Sequence, residues 1–201
     1  MAKKANSIVD KHIEALKALK GKSVEAGWLE TNRYTAGTKA NGEQISQDLI
    51  GIPIARIMRI QEFGATITHP GGTKYINDAI VDGKFVGTRF VDHSFSGEHK
   101  VTGEHTITIP ARPFMRLAQA NFRKNRTKIQ EKIAKDLLSG KIKPPQALSQ
   151  IALALEGFIV DAIKNGGWTP NAASTARSKG FNKPLIDSSQ AWQGVTSQVV
   201  G

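Results

Sequence analysis

The chain has 201 residues, of which 39% are hydrophobic and 22% charged, with no cysteine and a formal net charge of +11 from 28 Lys and Arg against 17 Asp and Glu. That length suits one domain, or one domain with a projecting arm, and the missing cysteines exclude disulfides, thiolate catalysis and any metal site built on Cys sulfur. No apolar run nears the roughly 18 residues a membrane span needs, and Met1-Ala2-Lys3-Lys4 lacks the apolar segment of a secretion signal, which points to a protein made and kept in a cytoplasm.

Ile8, Ile13, Leu16 and Leu19 recur at helical spacing and Gly21 supplies a stop, predicting an amphipathic helix over 7–20. Residues 23–29 alternate as a half-buried strand with Val24, Ala26 and Trp28 on one face. Residues 31–51, rich in Thr, Asn, Gly and Lys, read as a long surface loop. Helical spacing returns over 53–63 through Ile54, Ile57 and Met58, with Pro53 in the first turn and Gly64 as the stop.

Residues 65–108 differ in kind. Gly71-Gly72, Asp82-Gly83, Gly87, Gly97 and Gly103 punctuate short runs such as Lys84-Phe85-Val86 and Arg89-Phe90-Val91, the pattern of hairpins. This predicts a β arm inserted between two core helices, with 105–109 as its last strand and Pro110 starting a bend. The expected organisation is a single domain over 1–201 that carries the arm 65–108.

Beyond Pro113, the positions Phe114, Leu117, Ala118, Phe122, Ile129, Ile133 and Leu137 mark a long helix that ends at Gly140. Pro144 and Pro145 start a second one, with Leu148, Ile151, Ala152, Leu155, Ile159 and Ile163 on its core face and Gly166-Gly167 as its stop. Residues 168–180 form a basic, polar crossing with little core content. The end of the chain is more tightly specified. Pro184 keeps Lys183 extended, Asp187 is a good N-cap, and Gln190 stands three positions on, as a capping box requires. Ala191, Trp192 and Val195 fall on that short helix, Gly194 ends it, and 196–200 reads as a terminal strand docked into the fold.

The charge is unevenly placed. Arg123, Lys124, Arg126 and Lys128 lead a run of bases on the long helix that meets only Glu131 and Asp136, and Arg177 and Lys179 lie in an acid-free stretch from Lys164 to Ile186. Such stripes are commonly solvated helix faces, and the signatures of sequence-specific nucleic-acid readout are missing: no zinc-finger spacing, and 6% aromatic residues to serve as stacking platforms. A weak, sequence-independent contact with a polyanion is what the charge supports, and these six bases are its candidates.

The chemistry-bearing residues do not assemble into an enzyme. His93, His99 and His105 are spaced by six, which keeps them on one face of a strand but about 20 Å apart at each step, too far for one ion unless hairpins bring them together. Glu62 has no assignable nucleophile or partner acid and is expected to support the turn or pair with Arg112 or Arg116. Gly71-Gly72-Thr73-Lys74 lacks the spacing and the strand-to-helix context of a phosphate loop. No catalytic residue, cofactor or metal is assigned.

At Gln61-Glu62-Phe63-Gly64-Ala65, His69-Pro70-Gly71-Gly72-Thr73, Ile109-Pro110-Ala111-Arg112-Pro113-Phe114-Met115 and Pro184-Leu185-Ile186-Asp187, the chain resembles the virion morphogenesis proteins of tailed bacteriophages, the neck, tail-completion and tail-terminator proteins. The resemblance spans residues 20–200, and departs from the family where Ser188-Ser189 replaces the usual glycine or threonine-glycine after the aspartate. It implies an α+β subunit, an antiparallel sheet flanked by helices, in a homo-oligomeric ring at the head-to-tail junction, sixfold ahead of twelvefold, through which phage DNA passes. It further implies neck, connector and tail-tube proteins as partners, a place in the virion after assembly in the host cytoplasm, and no membrane. Glu62, Phe63, Gly64, Arg112, Pro113, Phe114, Asp187 and Trp192 are then the candidate interface or structural residues. Arg112, fixed between two prolines, is suited to a bidentate carboxylate contact, and the arm 65–108 to strand addition on a neighbour.

Overall fold

A computed structural model describes residues 2–76, 80–81, 84–85 and 87–201. In chain order the elements are α1 (Ala2–Leu19), β1 (Ser23–Gly27), a 3-10 turn (Gln47–Leu49), α2 (Ile54–Phe63), β2 (Ala65–His69), β3 (Lys74–Ile76), β4 (Ile80–Val81), β5 (Lys84–Phe85), β6 (Arg89–Phe90), β7 (Lys100–Val101), β8 (His105–Ile109), α3 (Phe114–Leu138), α4 (Pro144–Asn165), α5 (Ala173–Lys179), α6 (Gln190–Gln193) and β9 (Thr196–Val200). Helices and small antiparallel sheets make this an α+β protein. It divides into two compact units: a body of residues 1–63 and 111–201, and an arm, Gly64–Pro110.

The body is built around α4. Pro144 and Pro145 open this helix, where a missing N–H costs nothing, and the Gln146 side chain accepts from the Lys143 N–H at 2.8 Å. Against the expectation that no apolar run nears a membrane span, α4 is long and apolar enough to cross a membrane on length and composition alone. Here it is a core helix, packed on α3, on β1 and β9, and on α1 and α6. Ile159, Ala162 and Ile163 meet Ile54 and Met58 of α2, Phe114 and Ala118 of α3, Tyr34 and Ala191. Phe114 and Ile163 are fully buried, each worth about 1.5–3 kcal/mol of transfer free energy. Trp28 stands edge-on to Phe114 with ring centroids 5.7 Å apart, and Phe122 edge-on to Phe158 at 6.0 Å.

β1 and β9 pair antiparallel from Ser23↔Val200 to Gly27↔Thr196, so the C-terminal strand is docked, as its pattern predicts. Two expectations need correction. The segment 31–51 is no mere surface loop: Tyr34 and Ile45 are buried, and the Tyr34 backbone bonds to Ile52 and Gly51. The basic, polar crossing 168–180 contains a short helix, α5, of Ala with Arg and Lys, ended by Gly180, and none of its residues is buried, in keeping with the little core content expected there. The helix α6 is a single turn starting at Gln190, with Ser189 as its N-cap residue and no side-chain cap, and Val195 falls beyond it. Asp187 therefore caps nothing. α1 also starts earlier than its apolar spacing predicts, through helix-forming Ala and Lys residues.

The arm is a set of short ladders. β2 and β8 pair along their full length from Ala65↔Ile109 to His69↔His105, β3 lies between β6 and β7, and β4 pairs with β5. The expected Asp82-Gly83 turn and Val86 lie outside the described residues. Gly71 is held at φ +87°, and a Cβ there would collide with the Thr102 and Gly103 backbone, so glycine is required. Among the described residues of the arm, only Ile76 is a buried hydrophobe.

Candidate functional site

The segments Gln61-Glu62-Phe63 and Arg112-Pro113-Phe114 are 51 residues apart in sequence and adjacent in space. They join the last turn of α2 to the first turn of α3. Glu62 is buried, at 4% exposure, and its carboxylate accepts from the backbone N–H of Met115 at 2.8 Å and of Arg116 at 3.4 Å. These are among the four N–H groups that a helix start leaves without an internal partner, and a carboxylate there also meets the positive end of the helix dipole. α3 has Pro113 at its N-cap position, which offers no capping side chain. The cap is thus supplied from another helix. Arg116 Nε adds an ion pair to the same carboxylate at 3.2 Å, which settles the partner of Glu62 as Arg116 rather than Arg112.

Arg112 does something else. Its backbone N–H donates to the Gln61 carbonyl at 2.7 Å, its Nη1 to Gln61 Oε1 at 2.5 Å and its Nε to the Thr169 carbonyl at 3.2 Å. The side chain, 5% exposed, clips the end of α2 to the crossing that follows α4. All these acceptors are neutral, and burial pushes the guanidinium pKa down from its ordinary value. The bidentate carboxylate contact expected for it is not among its described hydrogen bonds. Phe114 is the most buried aromatic of the core, while Phe63 is 65% exposed, with the Arg116 guanidinium 5.9 Å from its ring centroid.

Beside this junction lies a cleft of about 570 Å³, floored by Trp28, Met58, Phe114 and Met115 and rimmed by Arg59, Phe63, Arg116 and Gln119. It is an apolar recess with cations at its mouth, and Glu62 is already engaged inside it.

The terminal segment is a clasp. The Gln190 amide grips the Thr35 backbone from both sides, accepting from its N–H at 3.0 Å and donating to its carbonyl at 2.9 Å. Trp28 Nε1 donates to the Ala191 carbonyl at 2.7 Å, and Asn32 Nδ2 to the Gly194 carbonyl at 2.8 Å. The Asp187 carbonyl accepts from the Ala40 N–H at 3.0 Å. Its carboxylate acts at longer range: with burial as the larger cause, it raises the Tyr34 phenol above 10.0. Trp192 is half-buried, with Lys164 Nζ 3.7 Å from its ring centroid.

Of the six candidate polyanion contacts, Arg123, Lys124, Arg126, Lys128 and Arg177 are exposed. Lys179 is committed, donating to the Lys183 carbonyl at 2.8 Å and lying 4.8 Å from the Phe181 ring. Burial lowers its pKa, an effect that Asp187 opposes and Arg112 reinforces. In the arm, strand pairing brings His69 and His105 together with ring centroids 4.9 Å apart, a pair that spacing alone does not reveal. No cluster of three potential metal ligands forms among the described residues. The N–H groups of Gly71, Gly72 and Thr73 are taken by His69 Nδ1, the Thr102 carbonyl and Thr102 Oγ1, and a strand follows instead of a helix. Nothing is left there to cradle a phosphate. Comparison of the chain with family models, with curated proteins and with solved structures finds no match to any of them.

Proposed function

We propose that this chain is a non-enzymatic structural protein of the head-to-tail junction of a tailed bacteriophage, forming a homo-oligomeric ring that completes or terminates the tail and lets DNA pass. The ring is sixfold in preference to twelvefold, resides in the virion with neck, connector and tail-tube proteins as neighbours, and needs no cofactor. The observation that carries this reading is the joint between two of the segments that bear the resemblance: Glu62 caps α3 just after Arg112 has clipped Gln61, and each side chain has a structural task that its neighbours in sequence do not explain. A second support comes from the departure at Ser188-Ser189. Ser189 sits at φ 65°, the left-handed region in which glycine is the ordinary choice, so the backbone keeps the form that the family's usual glycine would favour. A structural role also accounts for an arm whose apolar residues stand in solvent.

Purified protein examined by multi-angle light scattering and negative-stain electron microscopy is expected to give a large closed oligomer with a central opening. A strictly monomeric protein that also fails to enter virions would overturn the proposal. A second reading, a basic accessory protein that binds nucleic acid without sequence preference, is favoured by the exposed Arg123, Lys124, Arg126 and Lys128 on α3. Its affinity for duplex DNA should fall steeply with salt, and no association at low salt would eliminate it.

A further inference from the structure

We propose that the His69–His105 pair is an acid-operated latch in the arm, which holds the 69–73 turn against residues 102–103 while His69 is neutral and releases it when that imidazole takes a proton. The latch lies within one arm and stands apart from the oligomer proposed above.

Backbone partners fix the tautomer of each imidazole. An N–H can only donate, so His69 Nδ1, which accepts from the Gly71 N–H at 3.0 Å, holds a lone pair, and the proton of the neutral imidazole sits on Nε2. A carbonyl can only accept, so His105 Nδ1, 2.9 Å from the Gly103 oxygen, carries the proton and leaves its Nε2 open. His12 and His99 also donate, from Nε2 to the Leu138 carbonyl and from Nδ1 to the Gly97 carbonyl. Each of these donors can gain a proton on its other nitrogen and keep its bond. Among the described hydrogen bonds His69 alone accepts, so a proton at its Nδ1 sets two N–H groups against each other and breaks the bond to Gly71.

The place of this bond gives it leverage. The β2–β8 ribbon ends at His69↔His105, with the imidazole centroids 4.9 Å apart and the planes inclined by 31°, and the chain passes from there into the β6-β3-β7 sheet. The linking turn is closely fitted: Gly71 lies on the Thr102 and Gly103 backbone without room for a Cβ, while the Gly72 and Thr73 N–H groups donate to the Thr102 carbonyl and hydroxyl. His105 is exposed and His69 half-buried, so the first proton enters at His105 Nε2 with no bond lost, and the next must enter His69 beside a cation. The charged groups on the adjoining segments are Glu104, next to His105, Lys74, whose Nζ is held by the carbonyls of His93 and Phe95, and Lys100, across the ladder from Tyr75. None of the ion pairs among the described residues joins a carboxylate to either imidazole, so none offsets the repulsion of a doubly protonated pair.

Amide hydrogen exchange read by mass spectrometry on the full chain, corrected for the intrinsic effect of pH on exchange, tests the latch in peptides that cover 69–73. From about pH 8 to about pH 5, the range in which histidines change charge, protection of these amides should fall about tenfold, the loss of one net hydrogen bond. His69→Asn supplies an oxygen that accepts from the amide two residues on and does not titrate, so its protection should be equal at both ends of the range. His105→Gln removes the neighbouring charge and should reduce the fall without abolishing it. Unchanged protection in the unsubstituted protein, or an equal fall in His69→Asn, would overturn the proposal. Should His69→Asn leave the turn unprotected even at the higher pH, imidazole nitrogen chemical shifts of the unsubstituted protein decide: a proton on Nε2 of His69 and on Nδ1 of His105 supports the latch, and a proton on Nδ1 of neutral His69 removes it.

Discussion

The body buries Phe114, Ile163 and their neighbours in one shared core, whereas the arm buries a single described hydrophobe, Ile76, and leaves Ile67, Phe90, Val101 and Ile107 exposed. The body's polar contacts reach across the sequence, as Glu62 does to Met115 and Gln190 to Thr35. The arm's are mostly ladders and bonds within its own strand cluster, such as Lys74 Nζ to the carbonyls of His93 and Phe95, or the N–H and hydroxyl of Ser94 to Asp92. One unit is held by volume that must be filled, the other mainly by backbone pairing. The largest test of this difference is Phe114→Ala set beside Ile76→Ala. The first opens a cavity under Trp28 and should cost about 3–5 kcal/mol, lowering Tm of the body by roughly ten degrees or more. The second should leave that transition in place and instead speed protease cleavage within 64–110. Equal shifts in Tm would erase the distinction.

A smaller but more specific break lies at the helix joint. Glu62→Ala leaves the Met115 and Arg116 N–H groups at the start of α3 without their acceptor and the Arg116 side chain without its partner, at a cost of about 2 kcal/mol in denaturant unfolding. Glu62→Gln keeps an oxygen for the Met115 N–H and loses only the charge, so it should cost about half as much. If the two variants are equally destabilised, the carboxylate acts through the ion pair and the cap contributes nothing.

Much of the body was legible because its signals are local. Pro144-Pro145 and Gly140 bound helices whose apolar residues recur at the right spacing, and β9 followed from a short run of β-formers. Glu62 falls at a predicted turn, and Arg116 is one of its two candidate partners. The cap itself was invisible, because it depends on two segments meeting across an inserted arm. The absence of a capping residue at Pro113 was the one signal available: a helix start with no cap of its own must borrow one. Asp187 misled for the converse reason. It has the residue type and the spacing of a capping box, but the chain turns left-handed at Ser189 and the helix starts at Gln190, whose amide is spent on Thr35. Buried Tyr34 and Ile45 were lost in a polar segment, since two apolar residues eleven apart show no period.

The arm's exposed carboxylates and the body's buried phenol respond to opposite ends of the pH scale. Hydrogen bonds from Ser94 hold the Asp92 carboxyl below its ordinary value, so the turn it anchors should weaken only in acid. Burial, with Asp187 adding to it, raises the Tyr34 phenol above 10.0. A raised pKa means that the folded state favours the neutral phenol: the contribution is intact below about pH 10 and is lost as the pH climbs through the folded value. Unfolding free energy measured from pH 8 upward should therefore fall more steeply for the native protein than for Tyr34→Phe. Parallel curves would show that the body's alkaline limit lies elsewhere.

The finest contrast concerns left-handed backbone. Among its described residues the arm meets this requirement with glycine at Gly64, Gly71, Gly72 and Gly87, whereas the body also holds Leu185 at φ 62° and Ser189 at φ 65°. Each non-glycine residue there costs about 1–2 kcal/mol, which only surrounding contacts can offset. Leu185 has them, since its side chain packs on the core cluster; Leu185→Gly removes the strain but also that burial, and should destabilise by about 1 kcal/mol net. Ser189 makes no side-chain cap bond to α6, so Ser189→Gly sheds the strain and loses only the added freedom of the unfolded chain, for a net gain of about 0.5 kcal/mol. A loss at 189 would mean that the serine makes a contact in solution that outweighs its backbone, and the body would then tolerate strain at both positions for the same reason, by packing it in place.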